Sequence, residues 1–382
     1  MGKYNCEKCG KVFNQKSHYT THVNKKNPCV VESKIKEMID NAIKEKLIEI
    51  KKTSPSEIIK NIEIVYDNKL VKDVPIKKIH IPKPILKWVG GKTQIIDKLI
   101  ADFPVEINNY REAFVGGGSV LLALLSYVKS GIIKIHGNIY AYDLNEPLIY
   151  IYKNIQTHHN ELYNILQTII IEFKECGNGE INRTPKNITE AKIAKENYYY
   201  WIRSEYNKLC STDKKSILGS AMFIFLNKTC FRGVFRVGPK GFNVPYGHYN
   251  NPEIINKEHL LEIHILIQNV VFECCDFNTS LTIVEPNDFV YLDPPYAPET
   301  DTSFVGYTEN GFNIENHNKL FKLCNDEINI NNKKFMMSNS NTDFVKQHFT
   351  EEKYSIKVIT AKRSINSKNP DAKAKEVIIK NY

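Results

Sequence analysis

The 382-residue chain has no window of eighteen uninterrupted apolar residues, so no segment qualifies as a membrane-spanning helix. Its first twenty-five residues carry lysines and metal-ligand types in place of an apolar run, which argues against a secretory leader. No disulfide framework is visible: of nine cysteines, three fall within the first 29 residues at metal-like spacing and six are scattered. That usage fits a reducing compartment, cytoplasm or nucleus. Arginine is absent from residues 1–83, and acidic residues are absent from Lys214 through Pro252. What is present is ordinary for a globular chain, with 42% hydrophobic and 25% charged residues, which excludes a largely disordered or fibrous protein.

The formal charge of +9 is unevenly placed. Residues 1–83 hold 18 lysines against 10 acids, so the arm carries +8 and the rest of the chain is close to neutral. A basic excess of this kind points to a polyanionic partner. Composition divides the chain into three: a Cys/His-bearing segment 1–29, a Lys/Ile/Glu-rich segment 30–83 ending in Pro75 and Pro82, and an α/β domain over 84–382. Within the middle segment Ile35, Met38, Ile39, Ala42, Ile43, Leu47 and Ile50 recur at helical spacing, so 33–52 reads as an amphipathic helix. Such a helix packs on the rest of its own chain, spaces two domains, or dimerises.

Cys6, Cys9, His22 and Cys29 follow the spacing C-x2-C-x12-H-x6-C, two short pairs that suit tetrahedral Zn²⁺. A domain of this size has little core, so metal binding would supply its folding free energy. Tyr4, Phe13 and Tyr19 stand where the small apolar core of a ββα finger would be, and the segment resembles C2H2 fingers with a cysteine as fourth ligand. His18 is the rival ligand, but Tyr19 at the core position turns it toward the surface. In that register Gln15, His18 and Thr21 are the side chains that reach base edges in a DNA major groove. A structural or protein-binding finger is the other reading.

Four signals follow in order. PILKWVGGK (84–92) sets Lys92 behind a Gly-Gly pair. YREAFVGGGSVLLALL (110–125) reads as an extended stretch, a glycine turn, and a helix opened by Ser119, which is a nucleotide-type loop at a strand's carboxyl end. The third glycine of a dinucleotide fingerprint is missing, which disfavours NAD. IYAYDLN places Asp143 at the end of the next strand, where a carboxylate can accept from ribose hydroxyls. Finally, DFVYLDPPY runs an apolar strand into Asp293-Pro294-Pro295-Tyr296. Consecutive prolines remove two N–H donors and stiffen the turn, leaving the carboxylate and carbonyls as acceptors beside a stacking ring. Two acceptors gripping the hydrogens of an exocyclic amino group would localise its lone pair toward a methyl donor.

These motifs, in this order, resemble the Dam-like adenine-specific DNA methyltransferases over roughly residues 84–382, continuing through FRVGPKGFNVPYG (235–247), GYTENGF (306–312), MSNSNTDF (337–344) and RSINSK (363–368). The resemblance implies a Rossmann-like sheet, an inserted helical target-recognition region at about 150–285, and S-adenosyl-L-methionine as methyl donor. It implies that Trp88 and Lys92 contact the donor, that the loop from Phe114 through Gly116 to Gly118 holds its methionine end, and that Asp143 takes the ribose. Asp276 and Phe277 resemble the family's acidic and apolar pair at the donor's adenine, and Asp293 to Tyr296 would hold donor and target base. Glu-Ala-Phe replaces the family's Glu-Pro-Phe at Ala113, which is expected to loosen that loop.

The acid-free stretch interleaves Lys228, Arg232, Arg236 and Lys240 with Phe231, Phe235, Phe242, Tyr246 and Tyr249. Positive charge finds phosphates, arginine reads guanine edges, and aromatic rings wedge where a base leaves the duplex. In isolation the stretch reads as a solvated loop with buried aromatics; placed before Asp293, it reads as target recognition on double-stranded DNA. RNA, a cytosine amino group, or a catalytically silent DNA-binding protein remain as alternatives.

Overall fold

Phe289–Leu292 is apolar at every position, the mark of a strand covered on both faces. In a computed structural model of the chain it lies at the centre of a seven-stranded sheet. The structure describes residues 4–6, 12–24, 79–298, 312–329, 333–362 and 373–382. The chain divides into two units, 1–77 and 78–382, so the boundary falls slightly before the expected 83. Residues 78–83 join the larger unit because His80 pairs with Glu262 and the Lys83 carbonyl meets the His259 ring.

The sheet strands are β1 (Tyr110–Glu112), β2 (Ile139–Asp143), β3 (Val270–Cys274), β4 (Phe289–Leu292), β5 (Lys334–Ser340), β6 (Ser355–Lys362) and β7 (Lys373–Lys380). Their order is β6-β7-β5-β4-β1-β2-β3. Neighbours are parallel except around β7, which runs antiparallel to both β5 and β6. Successive side chains alternate between two cores. Phe289, Tyr291, Met336 and Ile378 belong to one, and Val290, Leu292, Phe335, Met337, Val377 and Ile379 to the other. Each such side chain contributes about 2 kcal/mol on burial. From β1 the sheet grows through β2 to β3, and from β4 it grows the opposite way to β5. The order therefore reverses between β1 and β4, and a ligand crevice belongs outside their carboxyl ends.

Two helices frame that crevice. Helix α1 (Ser119–Lys129) is apolar nearly all round, with Val120 through Ser126 buried, and it starts from Gly118 in the left-handed region at φ 74°. Helix α2 (Glu146–Glu175) is capped by the Asn145 side chain and breaks helical geometry at His158. Its first half packs on β2 and β3. Its second half joins α3 (Lys195–Lys208) and α4 (Ile217–Thr229), where Phe173, Tyr198, Phe225 and Tyr246 interlock. This inserted region ends before β3, earlier than the expected 285, because Val270–Cys274 pairs with β2 and belongs to the sheet.

In the first unit Tyr4–Asn5 pairs antiparallel with Val12–Phe13, followed by a helix over Lys16–Val23. Tyr19 contacts Tyr4 and Phe13, and Phe13 lies against the His22 ring, so the aromatic positions meet as the spacing anticipates. Cys6 is buried. Cys9, Cys29 and the amphipathic segment 33–52 lie outside the described residues, as do RSINSK and all of GYTENGF except Phe312. Among the described residues no group of three or more His, Cys, Asp or Glu forms a metal site, and no helix is long and apolar enough to cross a membrane.

Candidate active site

Asp293 leaves the carboxyl end of β4, at the reversal of strand order. Its Oδ2 lies 2.7 Å from Lys92 Nζ, with Lys92 only 4% exposed and Asp293 18%. Lys92 is aimed there by its neighbours: its N–H donates to Ser119 Oγ at 3.0 Å, and its ammonium also donates to the Gly90 carbonyl. Burial pushes the Asp293 carboxyl up to about 6; Lys92 opposes the shift and Glu376 adds to it. Lys92 thus favours the ionised carboxylate in a setting that would otherwise neutralise it.

Behind this pair stands Glu112, buried at the end of β1, which accepts from the Tyr110 hydroxyl at 2.8 Å. Burial pushes it up to about 8, with Asp293 adding to the shift against Tyr110 and Lys92. Ala113 follows. It was expected to loosen the loop, yet its N–H donates to the Tyr291 carbonyl at 3.3 Å, a bond that proline cannot make. The alanine extends the pairing of β1 with β4.

The glycine turn is closed by specific bonds. Gly116 donates to Asp143 Oδ2 at 3.0 Å and its carbonyl accepts from the Tyr152 hydroxyl at 2.8 Å. A Cβ at Gly116 or Gly117 would collide with Trp88, and one at Gly118 would stand 2.8 Å from the Tyr152 oxygen. The loop is therefore a bare backbone cradle with Trp88 as one wall, and Trp88 stacks on Phe235 at 5.7 Å. Asp143 serves the loop first: Oδ1 accepts from Asn145 N–H and Oδ2 from Gly116, which opposes the rise that burial imposes on its carboxyl.

Phe114 stacks with Phe277 at 5.9 Å and meets Phe312, forming an apolar wall suited to a flat ring. Asp276 caps the short helix Phe277–Thr282 by accepting from Thr279 N–H, the bond that holds its carboxyl below the usual range, and it is exposed beside that wall. Trp88, Lys92, Phe114, Gly116, Gly118, Asp143, Asp276, Phe277 and the Asp293–Tyr296 segment, named from sequence, thus line the carboxyl edge of one sheet.

The recognition candidates sort differently. Arg232, Arg236 and Lys240 are all exposed. Arg232 sits at φ 55°, an uncommon left-handed position for a residue with a side chain. Arg236 is braced on the hairpin that follows, its Nε donating to Asn243 Oδ1 at 2.6 Å. The aromatic residues do not form one wedge. Phe242 and Tyr246 are buried, Phe235 packs on Trp88 and Phe223, and Tyr249 lies under the Lys87 ammonium at 3.8 Å, which leaves Phe231 as the exposed ring. In the first unit Gln15, just before the helix Lys16–Val23, and His18 and Thr21 on that helix are exposed.

Sequence reasoning missed Tyr110, Tyr152, Asn227, Asn339 and Glu376. Asn227 bonds both the N–H and the carbonyl of Lys87, tying the segment before Trp88 to the inserted helices. Nothing local to Asn227 or Glu376 marks either; only their distant partners do.

A nucleotide-type α/β sheet with a caged, ion-paired aspartate at its switch point defines an enzyme that brings a nucleotide-like donor and a second substrate together. The chain belongs to the D12 class of N6 adenine-specific DNA methyltransferases, whose family model matches residues 88–365. It is 37% identical over 310 residues to the type II methyltransferase M.MjaIII of Methanocaldococcus jannaschii, covering 78% of this chain and 99% of that one. It is 30% identical to the DNA adenine methylase of Haemophilus influenzae, covering 78% and 92%, and 29% identical to the type II methyltransferase M1.LlaDCHI of Lactococcus lactis, covering 80% and 97%. Adenine-directed DNA methylation thus stands over the RNA, cytosine and catalytically silent alternatives.

Proposed function

We propose that the chain methylates the exocyclic amino group of an adenine flipped from a short double-stranded DNA sequence, with Asp293 and Tyr296 as the groups that hold it. The observation that carries this reading is the buried Lys92–Asp293 pair at the strand-order reversal. The bare glycine cradle and the Phe114–Phe277–Phe312 wall suit the amino-acid end and the adenine ring of S-adenosyl-L-methionine. When bound, that donor would supply a methyl group on a sulfonium directly to the amino nitrogen, leaving a neutral thioether, with the amino group's proton lost to solvent and no covalent enzyme intermediate.

Trp88, Gly116 and Gly118 shape the cradle, Asp143 closes the loop where the ribose would lie, and Asp276 stands beside the ring wall. Asp293, kept ionised by Lys92, accepts from the target amino group together with the Pro294 carbonyl, while Pro295 stiffens the turn and the Tyr296 ring stacks on the base. Arg232, Arg236 and Lys240 contact the duplex. Base flipping costs a few kcal/mol, which phosphate and stacking contacts offset.

Residues 1–29 form a zinc finger in this reading, with Cys6, Cys9, His22 and Cys29 around one structural Zn²⁺. Gln15, His18 and Thr21 face DNA, and the finger lengthens residence on DNA through a tether. Transfer of labelled methyl to adenine in duplex DNA, beside an Asp293→Ala control, tests the chemistry; equal background in both would end the reading. Deleting residues 1–29 is expected to lower DNA affinity and its salt slope with turnover unchanged, and an unaltered slope would remove the finger from DNA binding.

A further inference from the structure

Strand β7 runs against its neighbours, so it starts at the edge of the sheet where the parallel strands end. Its residue Glu376 lies opposite Ser340 on β5 and Ile359 on β6. This corner already carries the backbone that follows Asp293-Pro294-Pro295-Tyr296. Ala297 N–H donates to Asn339 Oδ1 at 3.0 Å, and Ser340 Oγ donates to the Ala297 carbonyl at 2.7 Å. Glu376 adds a bond to the ring itself, its Oε2 accepting from the Tyr296 hydroxyl at 2.9 Å.

We propose that Glu376 is a positioning residue for methyl transfer, which fixes the Tyr296 ring as the platform under the target adenine and sets the charge around Asp293. The inference rests on the reading of Tyr296 given above. With its backbone clamped through Ala297 and its hydroxyl held by Glu376, the Tyr296 ring is fixed at both ends. The Lys92 ammonium lies over this ring, 4.9 Å from its centre. Lys92, Asp293, Tyr296 and Glu376 therefore form one cluster, in which a single cation is shared with the carboxyl groups of Asp293 and Glu376 and with Glu112 behind them. Burial pushes the Glu112 carboxyl up to about 8 and so favours its neutral form at neutral pH. The cluster's net negative charge faces the place where the amino nitrogen becomes positive as the methyl group arrives, a complement to the transition state. The second carboxylate also raises the proton affinity of Asp293, so Glu376 trades a lower fraction of ionised Asp293 for a held ring.

Three variants of the full chain test this, assayed as single-turnover methylation of duplex DNA across pH. Glu376→Ala and Tyr296→Phe each break the same bond, so each is expected to slow transfer about ten- to a hundredfold, and the double variant no further than the worse single one. Factors that multiply would overturn the shared role. Glu376→Gln keeps an acceptor and removes the charge. It should be slowed less than Glu376→Ala, losing the charge but not the bond, while the acid limb of the pH profile moves to lower pH, as Asp293 ionises more easily. An unmoved acid limb overturns the electrostatic part. Donor affinity and melting temperature report folding, and if Glu376→Ala does not fold, Glu376→Gln and Tyr296→Phe decide. Wild type and Asp293→Ala run alongside: a wild type without transfer sinks the reading of the site, whereas an active wild type matched by every Glu376 variant sinks this inference alone.

Discussion

On the β1–β2–β3 side of the crevice the glycine turn is held by bonds between residues 27 and 36 apart, from Gly116 N–H to Asp143 and from the Tyr152 hydroxyl to the Gly116 carbonyl. On the β4–β5–β7 side Asp293 is held by Lys92 from the other end of the domain, and Tyr296 by Glu376, 80 residues on. The first half is built around a bare backbone turn, where a close approach is the requirement. The second is made of charged and aromatic side chains, where protonation and orientation are. On the function proposed above, a donor common to many enzymes needs a cradle that any strand–turn–helix unit can supply, whereas a poorly nucleophilic amino group needs a charge arrangement that several strands must deliver together.

The largest expected effect separates the halves outright. Asp293→Ala should lower turnover by about a thousandfold or more while leaving donor binding within about threefold, measured by labelled methyl transfer and by equilibrium binding. Loss of donor binding to the same extent would merge the two halves into one.

Next, Lys92→Met should slow transfer about a hundredfold at neutral pH. Wild-type activity should climb through about pH 6 as Asp293 ionises, and because Lys92 opposes the upward shift, its removal should move that limb to higher pH. Glu376→Gln is expected to move it the opposite way, so the pair of profiles is a sign test. Limbs displaced in the same direction would contradict the cluster.

On the donor side Gly118→Ala adds a Cβ at φ 74° against the Tyr152 oxygen. It should cost about 1–2 kcal/mol of stability and about tenfold in donor affinity, with the pH profile unmoved. Beneath both halves, Glu112 gives a stability effect. Its folded-state value of about 8 lies above the ordinary carboxylate range, so its favourable contribution is full below about pH 4.5 and is lost as pH rises toward 8. Glu112→Gln should flatten that decline, raising stability at pH 8 by about 2 kcal/mol, read from denaturant melts at several pH values.

Smallest is the effect on the exposed rim. Arg236→Ala should weaken DNA binding by less than about tenfold and lower the salt slope by about one. A change in the pH limb would show that recognition and chemistry share groups.

The donor half was legible because its requirements are local. Glycines at a strand's end, an acidic residue closing the next strand, and an apolar helix each leave a mark in a short stretch. Asp293 and Tyr296 were legible for the same reason, through the two prolines between them. The aromatic stretch at 231–249 was only partly legible, because residue type shows that a ring is large and apolar but not whether it faces solvent; Phe242 and Tyr246 went into the core and Phe231 did not. Ala113 misled. Its departure from proline looked like a loss until the bond to Tyr291 appeared.

Sequence alone determined the α/β class, the two-part charge distribution, the order of the motifs and which residues stand as candidates for holding donor and base, because each depends on residue type and short spacing. Tertiary structure decided the rest. The reversal of strand order between β4 and β1 brought Lys92 onto Asp293, and the antiparallel course of β7 delivered Glu376 to Tyr296. Both are consequences of which strands lie side by side, a choice made by burial over the whole sheet and written in no single stretch of the chain.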